Sequence, residues 1–212
     1  MSSIERPHSP FQRLSDSERL ISLQAVLAAR AAPHDIYVFA YGSMMWDPLF
    51  EPAERHAANL DGYRRSFCVW SLVARGTPEN PGLALGLEDA AGASCDGIVF
   101  RLNPFTTKAD LEATWRREMY TAIYQPKWLD VETVMGKVRA ISFAIETGHP
   151  QYAAGLDQNE AASIIASAEG ENGRCRDYLS NTVSELAAIG CVDSQIEALN
   201  ELVESLPAGK ES

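Results

Sequence analysis

The sequence predicts an α+β fold, on three observations. Residues 36–145 carry β-prone apolar runs separated by loops rich in glycine and proline. From Asp157 onward the apolar spacing turns helical, with capping residues at the right places. A further capped helix stands before the strands, so a strand-rich middle carries appended helices, which is an α+β arrangement.

In chain order, residues 1 to about 14 hold Pro7 and Pro10 among polar groups and read as a loosely held arm. Ser15-Asp16-Ser17-Glu18 is a capping box that opens a helix to Ala29, with Leu20, Leu23 and Leu27 as its apolar stripe. Pro33 breaks the chain before the first strand. Asp47-Pro48 and Glu51-Pro52 mark a loop, and residues 60–70 read as a strand with Arg64 and Arg65 near its start. Residues 75–82 hold two glycines and two prolines and read as a loop. Residues 83–87 and 95–102 are short apolar runs; Glu88-Asp89-Ala90-Ala91-Gly92 reads as the turn of an antiparallel pair between them. Thr107-Lys108-Ala109-Asp110 caps a helix to about Tyr120. Residues 128–134 and 138–145 flank Met135-Gly136-Lys137 as a hairpin. Asp157 caps a helix to Ala168, and residues 170–173 form a polar loop. Arg174 to Ile189 is a helix stopped by Gly190, and Asp193 caps a last helix closed by Pro207.

The 212 residues are enough for one domain with a full core. The divisions expected are 1–34, an arm and helix, and 35–207, the main domain. A formal charge of −11 argues against nucleic acid and against an anionic membrane surface. Cys68, Cys95, Cys175 and Cys191 are too scattered for a zinc knuckle or a redox pair, so free thiols in a reducing cytosol are expected. No signal-peptide core and no membrane-spanning run is present, which points to a cytoplasmic protein.

One stretch stands apart. Ile36-Tyr37-Val38-Phe39-Ala40-Tyr41 suits a buried strand and runs straight into Gly42-Ser43-Met44-Met45-Trp46-Asp47. Gly42 permits a sharp bend or a close approach. A strand that ends in Gly-Ser presents consecutive N–H groups, either as an anion-binding concavity or as an ordinary strand-end turn. Glu118 is the second signal. In the helix from Thr107, Leu111 and Trp115 define an inward stripe, and Glu118 continues it one turn further. A carboxyl there is either paired, with an arginine such as Arg101, or left in an apolar cleft where its pKa rises.

Phe39-x-Tyr41-Gly42-Ser43-Met44-Met45-Trp46 resembles the F-G-Y-G-S-L-I-W signature of the ChaC-type γ-glutamylcyclotransferases, which cleave glutathione to 5-oxoproline and Cys-Gly. Trp115-Arg116-Arg117-Glu118 is similar to the family's F-R-E or W-R-R-E segment, with Arg117-Glu118 as the matching pair. Arg75-Gly76-Thr77-Pro78 with Pro81-Gly82, Gly97-Ile98-Val99-Phe100-Arg101-Leu102, and Gly173-Arg174-Cys175-Arg176-Asp177-Tyr178-Leu179 resemble three further motifs, in the same order, between about residues 36 and 206. Ala40 stands where many members have glycine, and Cys175 where the motif has asparagine.

The resemblance implies a small mixed or antiparallel β-barrel-like sheet with appended helices. It implies Glu118 as catalytic acid/base, and Val38, Phe39, Ala40, Tyr41, Gly42, Ser43, Met44 and Tyr178 as substrate-binding residues. The implied substrate is glutathione or another γ-glutamyl peptide, with no metal and no cofactor, in a monomer or weak dimer. Arg75 and Arg101 are candidate partners for the far carboxylate of the substrate. A non-catalytic module that binds γ-glutamyl ligands in the same pocket is the alternative. Ser43 as a hydrolase nucleophile fits poorly, because the segment is not G-x-S-x-G and His8, His34, His56 and His149 have no evident partner for it.

Overall fold

The computed structural model of the chain describes residues 6–29 and 35–207. The predicted break at Pro33 and the 34/35 division lie outside them. The described residues fall into two compact units. One takes the described residues of 12–65 and 87–146, the other those of 6–11, 66–86 and 147–207.

The first unit is built on strands β1 (Tyr37–Ala40), β2 (Glu54–Ser71), β3 (Gly82–Arg101), β4 (Tyr124–Thr133) and β5 (Gly136–Ile145), with β2 and β3 lending residues to both units. Their order β1-β3-β2-β4-β5 closes into a barrel. Antiparallel pairing dominates, and the parallel pair β1–β5 completes the closure, with Tyr37 opposite Ala140 and Val38 opposite Ile141. Closure leaves no free sheet edge. The barrel-like α+β expectation is met.

One expectation fails. Residues 83–87 and 95–102 do not pair with each other; they are collinear parts of β3, whose hydrogen-bonded neighbours are β1 and β2. The acidic stretch between them looked like a turn because its partners lie elsewhere in the chain. Glu88 is buried against Arg64 of β2, with Nε 3.2 Å from its carboxylate. Gly62 and Gly92 take positive φ (80° and 82°), which lets such long strands bend.

Helix α1 (Asp16–Ala28) has the expected capping box, Ser15 with Glu18. Of its predicted stripe only Leu23 is buried; Leu20 and Leu27 stay exposed because α1 lies on the outside of this unit. It is held by indole N–H groups: Trp115 donates to the Ser22 hydroxyl at 3.3 Å and Trp128 to the Val26 carbonyl at 2.8 Å. The arm before it is anchored at its end, where the Leu14 N–H donates to Tyr120 O and Arg13 lies over the Tyr120 ring. Helix α2 (Thr107–Glu118) starts from Thr106 and stops at Glu118, two residues short of the predicted end.

The second unit holds α3 (Gln158–Ser167), α4 (Cys175–Ala188) and α5 (Ser194–Ser205). The caps act as predicted: Asp157 with Glu160 before α3, Asp193 before α5, and Gly190 at φ 75° past α4. The predicted polar loop is a two-residue hairpin, β6 (Glu169–Gly170) with β7 (Gly173–Arg174). It pairs with the 72–81 loop, where Glu171 and Asn172 donate to the carbonyls of Val73 and Ala74. A Cβ on Gly170 would run into Val73 O and Gly76 N, so that seam admits only glycine.

Candidate active site

The residues of β1 set the first part of the site. Val38, Phe39 and Ala40 are fully buried in the barrel wall. The chain leaves the wall at Tyr41 and Gly42, and Ser43–Met45 form one turn of 3-10 helix. Its bonds run from Met45 N to Gly42 O, and from Trp46 N and Asp47 N to Ser43 O. The Ser43 and Met44 N–H groups, which open that turn, have no carbonyl within it to meet.

Two side chains fix the bend from behind. The Tyr41 hydroxyl donates to Phe143 O at 2.7 Å, so this phenol is committed to the barrel. Arg65, 2% exposed, donates through Nη1 to Tyr41 O at 2.8 Å and through Nη2 to Asp96 O. A buried guanidinium thereby sits directly behind the bend and adds positive potential where those N–H groups begin. Gly97 completes the support: a Cβ there would strike Ala40 O and come within 2.9 Å of the Phe39 ring.

Helix α2 supplies the carboxylate. Leu111 and Trp115 are buried, and Trp115 meets the Phe143 ring edge-on with centroids 5.1 Å apart. Phe143 thus receives the Tyr41 hydroxyl on its carbonyl and the Trp115 ring on its side chain. One turn after Trp115, the Glu118 side chain is 15% exposed. Its partner is Arg117, not Arg101: Arg117 Nε lies 2.9 Å from Glu118 Oε1. Arg101 is engaged by Glu54 at 2.6 Å and Asp35 at 3.3 Å.

Arg117 also joins Glu118 to the bend. Its Nη1 donates to Asp47 O at 2.6 Å and lies 3.4 Å from Asp47 Oδ2, and the Asp47 N–H is bonded to Ser43 O. Burial pushes the Glu118 carboxyl above its ordinary range, and Arg117 partly opposes that rise. The carbonyl end of α2, where Glu118 is the last residue, acts in the same direction as burial.

Tyr178 belongs to the other unit. It is buried, packs edge-on against Phe67 at 5.6 Å, and lies beneath the Arg75 guanidinium at 5.0 Å. Cys175, at the start of α4, is fully buried, and its thiol donates to Leu83 O at 3.1 Å. Burial pushes that thiol up to about 11. A sulfur replaces the motif's amide and still bonds a carbonyl.

Among the described residues, Ser43 has no histidine partner. His56 lies beside Glu54, and the His149 ring accepts from Gln151 N. The described residues hold no cluster of metal-ligating side chains. No helix among them is long and apolar enough to cross a membrane.

A family model described as ChaC-like protein matches residues 36–206. The chain belongs to the ChaC-like family. It is 35% identical to the glutathione-specific gamma-glutamylcyclotransferase of Escherichia coli (strain K12), over 91% of this chain and 81% of that protein. It is 30% identical to gamma-glutamylcyclotransferase 2-3 of Arabidopsis thaliana, over 81% of this chain and 89% of that one. In fold it is similar to a crystal structure of the yeast γ-glutamyl cyclotransferase specific to glutathione. That match has a TM-score of 0.74 at 20% identity and covers 80% of this chain and 96% of that one.

Within this ChaC-like chain, sequence reasoning missed Arg65 and Asp47 and gave Arg117 no role. The signal for Arg65 was available, since an arginine inside an apolar strand run must find acceptors when buried. Asp47 offered none, because it acts chiefly through its backbone carbonyl.

Proposed function

We propose that this chain is a γ-glutamylcyclotransferase that acts on glutathione and releases 5-oxoproline and Cys-Gly. The observation that carries the reading is the Arg117 bridge from Glu118 to Asp47, in a chain of this family. It supports a half-buried carboxyl and the Gly42–Asp47 turn acting on one substrate.

In glutathione the α-amino nitrogen attacks the γ-carbonyl carbon and closes a five-membered ring. The amine must first be neutral, so Glu118 takes a proton from the ammonium and then delivers it to the departing cysteinyl nitrogen as the amide C–N bond breaks. A carboxyl raised by burial serves both steps. Negative charge develops on the γ-carbonyl oxygen, where each preorganised N–H donor lowers the barrier by about 3 kcal/mol. Gly42, Ser43 and Met44 are assigned those donors, or the grip on the substrate's α-carboxylate. Val38, Phe39, Ala40 and the Tyr41 phenol act as the frame that aims them. Holding the substrate folded back on itself contributes a large further share of the rate. Cys68, Cys95, Cys175 and Cys191, none of them in a disulfide, fit a reducing cytosol, where glutathione is abundant.

The test is incubation with glutathione and, separately, with γ-glutamyl-alanine, following products by mass. Release of 5-oxoproline from glutathione in preference is expected. Formation of glutamate would make water the nucleophile and reject the cyclisation.

A further inference from the structure

Arg117 makes three distinguishable arrangements with its three nitrogens. Nε holds Glu118 Oε1 at 2.9 Å, and Nη1 holds Asp47 O at 2.6 Å. Nη2 is buried and, among the described residues, meets no acceptor. A guanidinium chosen only to neutralise a carboxylate would present its two-pronged edge to both oxygens. Here one nitrogen grips one oxygen, and the fork is turned toward a backbone carbonyl 70 residues away in the chain. Among the described residues, Glu118 Oε2 takes no hydrogen bond. The carboxylate therefore has one held and one uncommitted oxygen.

We propose that Arg117 is the positioning residue of this site. It clamps Oε1 so that Oε2 alone transfers the proton, and it keeps that oxygen in register with the Gly42–Asp47 turn. The proposal rests on the cyclotransferase reading of Glu118 above. Lysine cannot replace the clamp, because one ammonium on a flexible stem cannot hold two acceptors in fixed directions.

The charged groups around Glu118 are few. Arg117 on α2 touches it, and the Asp47 carboxylate faces the far side of that guanidinium at 3.4 Å. From α1, Arg19 reaches the neighbouring Met119 carbonyl at 3.5 Å and is itself paired with Asp16. Arg117 is thus the cation that opposes the effect of burial on Glu118. Removing it leaves the carboxyl protonated to higher pH.

The test compares wild type, Arg117→Gln and Arg117→Lys in two readouts. One is the titration of the Glu118 carboxyl carbon by NMR of glutamate-labelled protein, with the signal identified by its loss in Glu118→Gln. The other is the pH profile of 5-oxoproline release. In Arg117→Gln the midpoint should move up by about one pH unit or more, and kcat below it should fall about tenfold per unit. KM should change less than threefold. Arg117→Lys, which keeps a charge and guards against loss of fold, should leave the midpoint near wild type and lower kcat at every pH. A midpoint in Arg117→Gln equal to wild type, or full activity in Arg117→Lys, overturns the proposal. A midpoint that moves while the activity profile stays put leaves the clamp standing and instead removes Glu118 from the reaction.

Discussion

The hydroxyl of Tyr41 donates to the carbonyl of Phe143 at 2.7 Å in the buried barrel wall. Phe143 lies on β5, opposite Pro126 of β4. The phenol brings a donor from the start of the bend. Because the Phe143 ring also meets Trp115, the bend and helix α2 converge on one residue of β5.

Tyr41→Phe removes that donor and leaves a buried carbonyl short of a partner. The expected cost is about 1–3 kcal/mol. For a chain of this length that lowers Tm by roughly 3–9 °C. Differential scanning calorimetry checks it, and an unchanged Tm would show the bond to be dispensable.

Gly97→Ala should be destabilising out of proportion to one methyl group. The added carbon meets Ala40 O and the Phe39 ring, and backbone cannot rotate aside as a flexible side chain can. Overpacking of this kind costs about 1–3 kcal/mol. Since Ala40 leads into the bend, KM for glutathione should rise as well. Urea denaturation and initial rates read the two effects separately.

Glu118→Gln keeps the shape and removes the proposed base. Turnover should fall by about 10²–10⁴-fold while glutathione still binds, measured by product release and by calorimetric titration. In wild type the base must be ionised to act, and burial raises its pKa above the ordinary 4.5. Activity should therefore rise with pH through a limb lying above that value. A limb at or below it would contradict the buried-base reading.

Cys175 makes a prediction about alkaline stability. Its thiol ionises near 9.0 when unfolded and near 11 when folded. Below the first value both states hold the proton, and the stabilising contribution is fully present. As pH rises from about 9 to 11 the unfolded chain releases it first, so that contribution is lost. The stability advantage of wild type over Cys175→Ala should shrink across that window, by on the order of 2–3 kcal/mol. In native protein near neutral pH this thiol should resist iodoacetamide, read by mass spectrometry of peptides.

Much of the fold was legible because its signals are local. Ser15 with Glu18 and Asp157 with Glu160 satisfy helix-end donors within four residues, so the sequence states them outright. The stripe Leu111, Trp115, Glu118 follows from helical geometry alone and correctly turned Glu118 inward. The stretch 88–92 misled because a strand segment paired only to distant residues carries no sign of its partner. Its acidic residues look like a turn until Arg64 is found across the sheet.

The sequence by itself determined most of the strand segments, the helix caps and the two segments, Tyr41-Gly42-Ser43 and Arg117-Glu118, proposed to bear the chemistry. Only the tertiary structure decided how that pair is joined. Adjacent residues on a continuing helix diverge by about 100°, so Arg117 and Glu118 have no reason to meet. They meet, although both are helical, because the long Arg117 side chain is drawn to one side by Asp47, far away in the chain. Side-chain direction at a helix end depends on what stands opposite, and that is fixed by the packed fold.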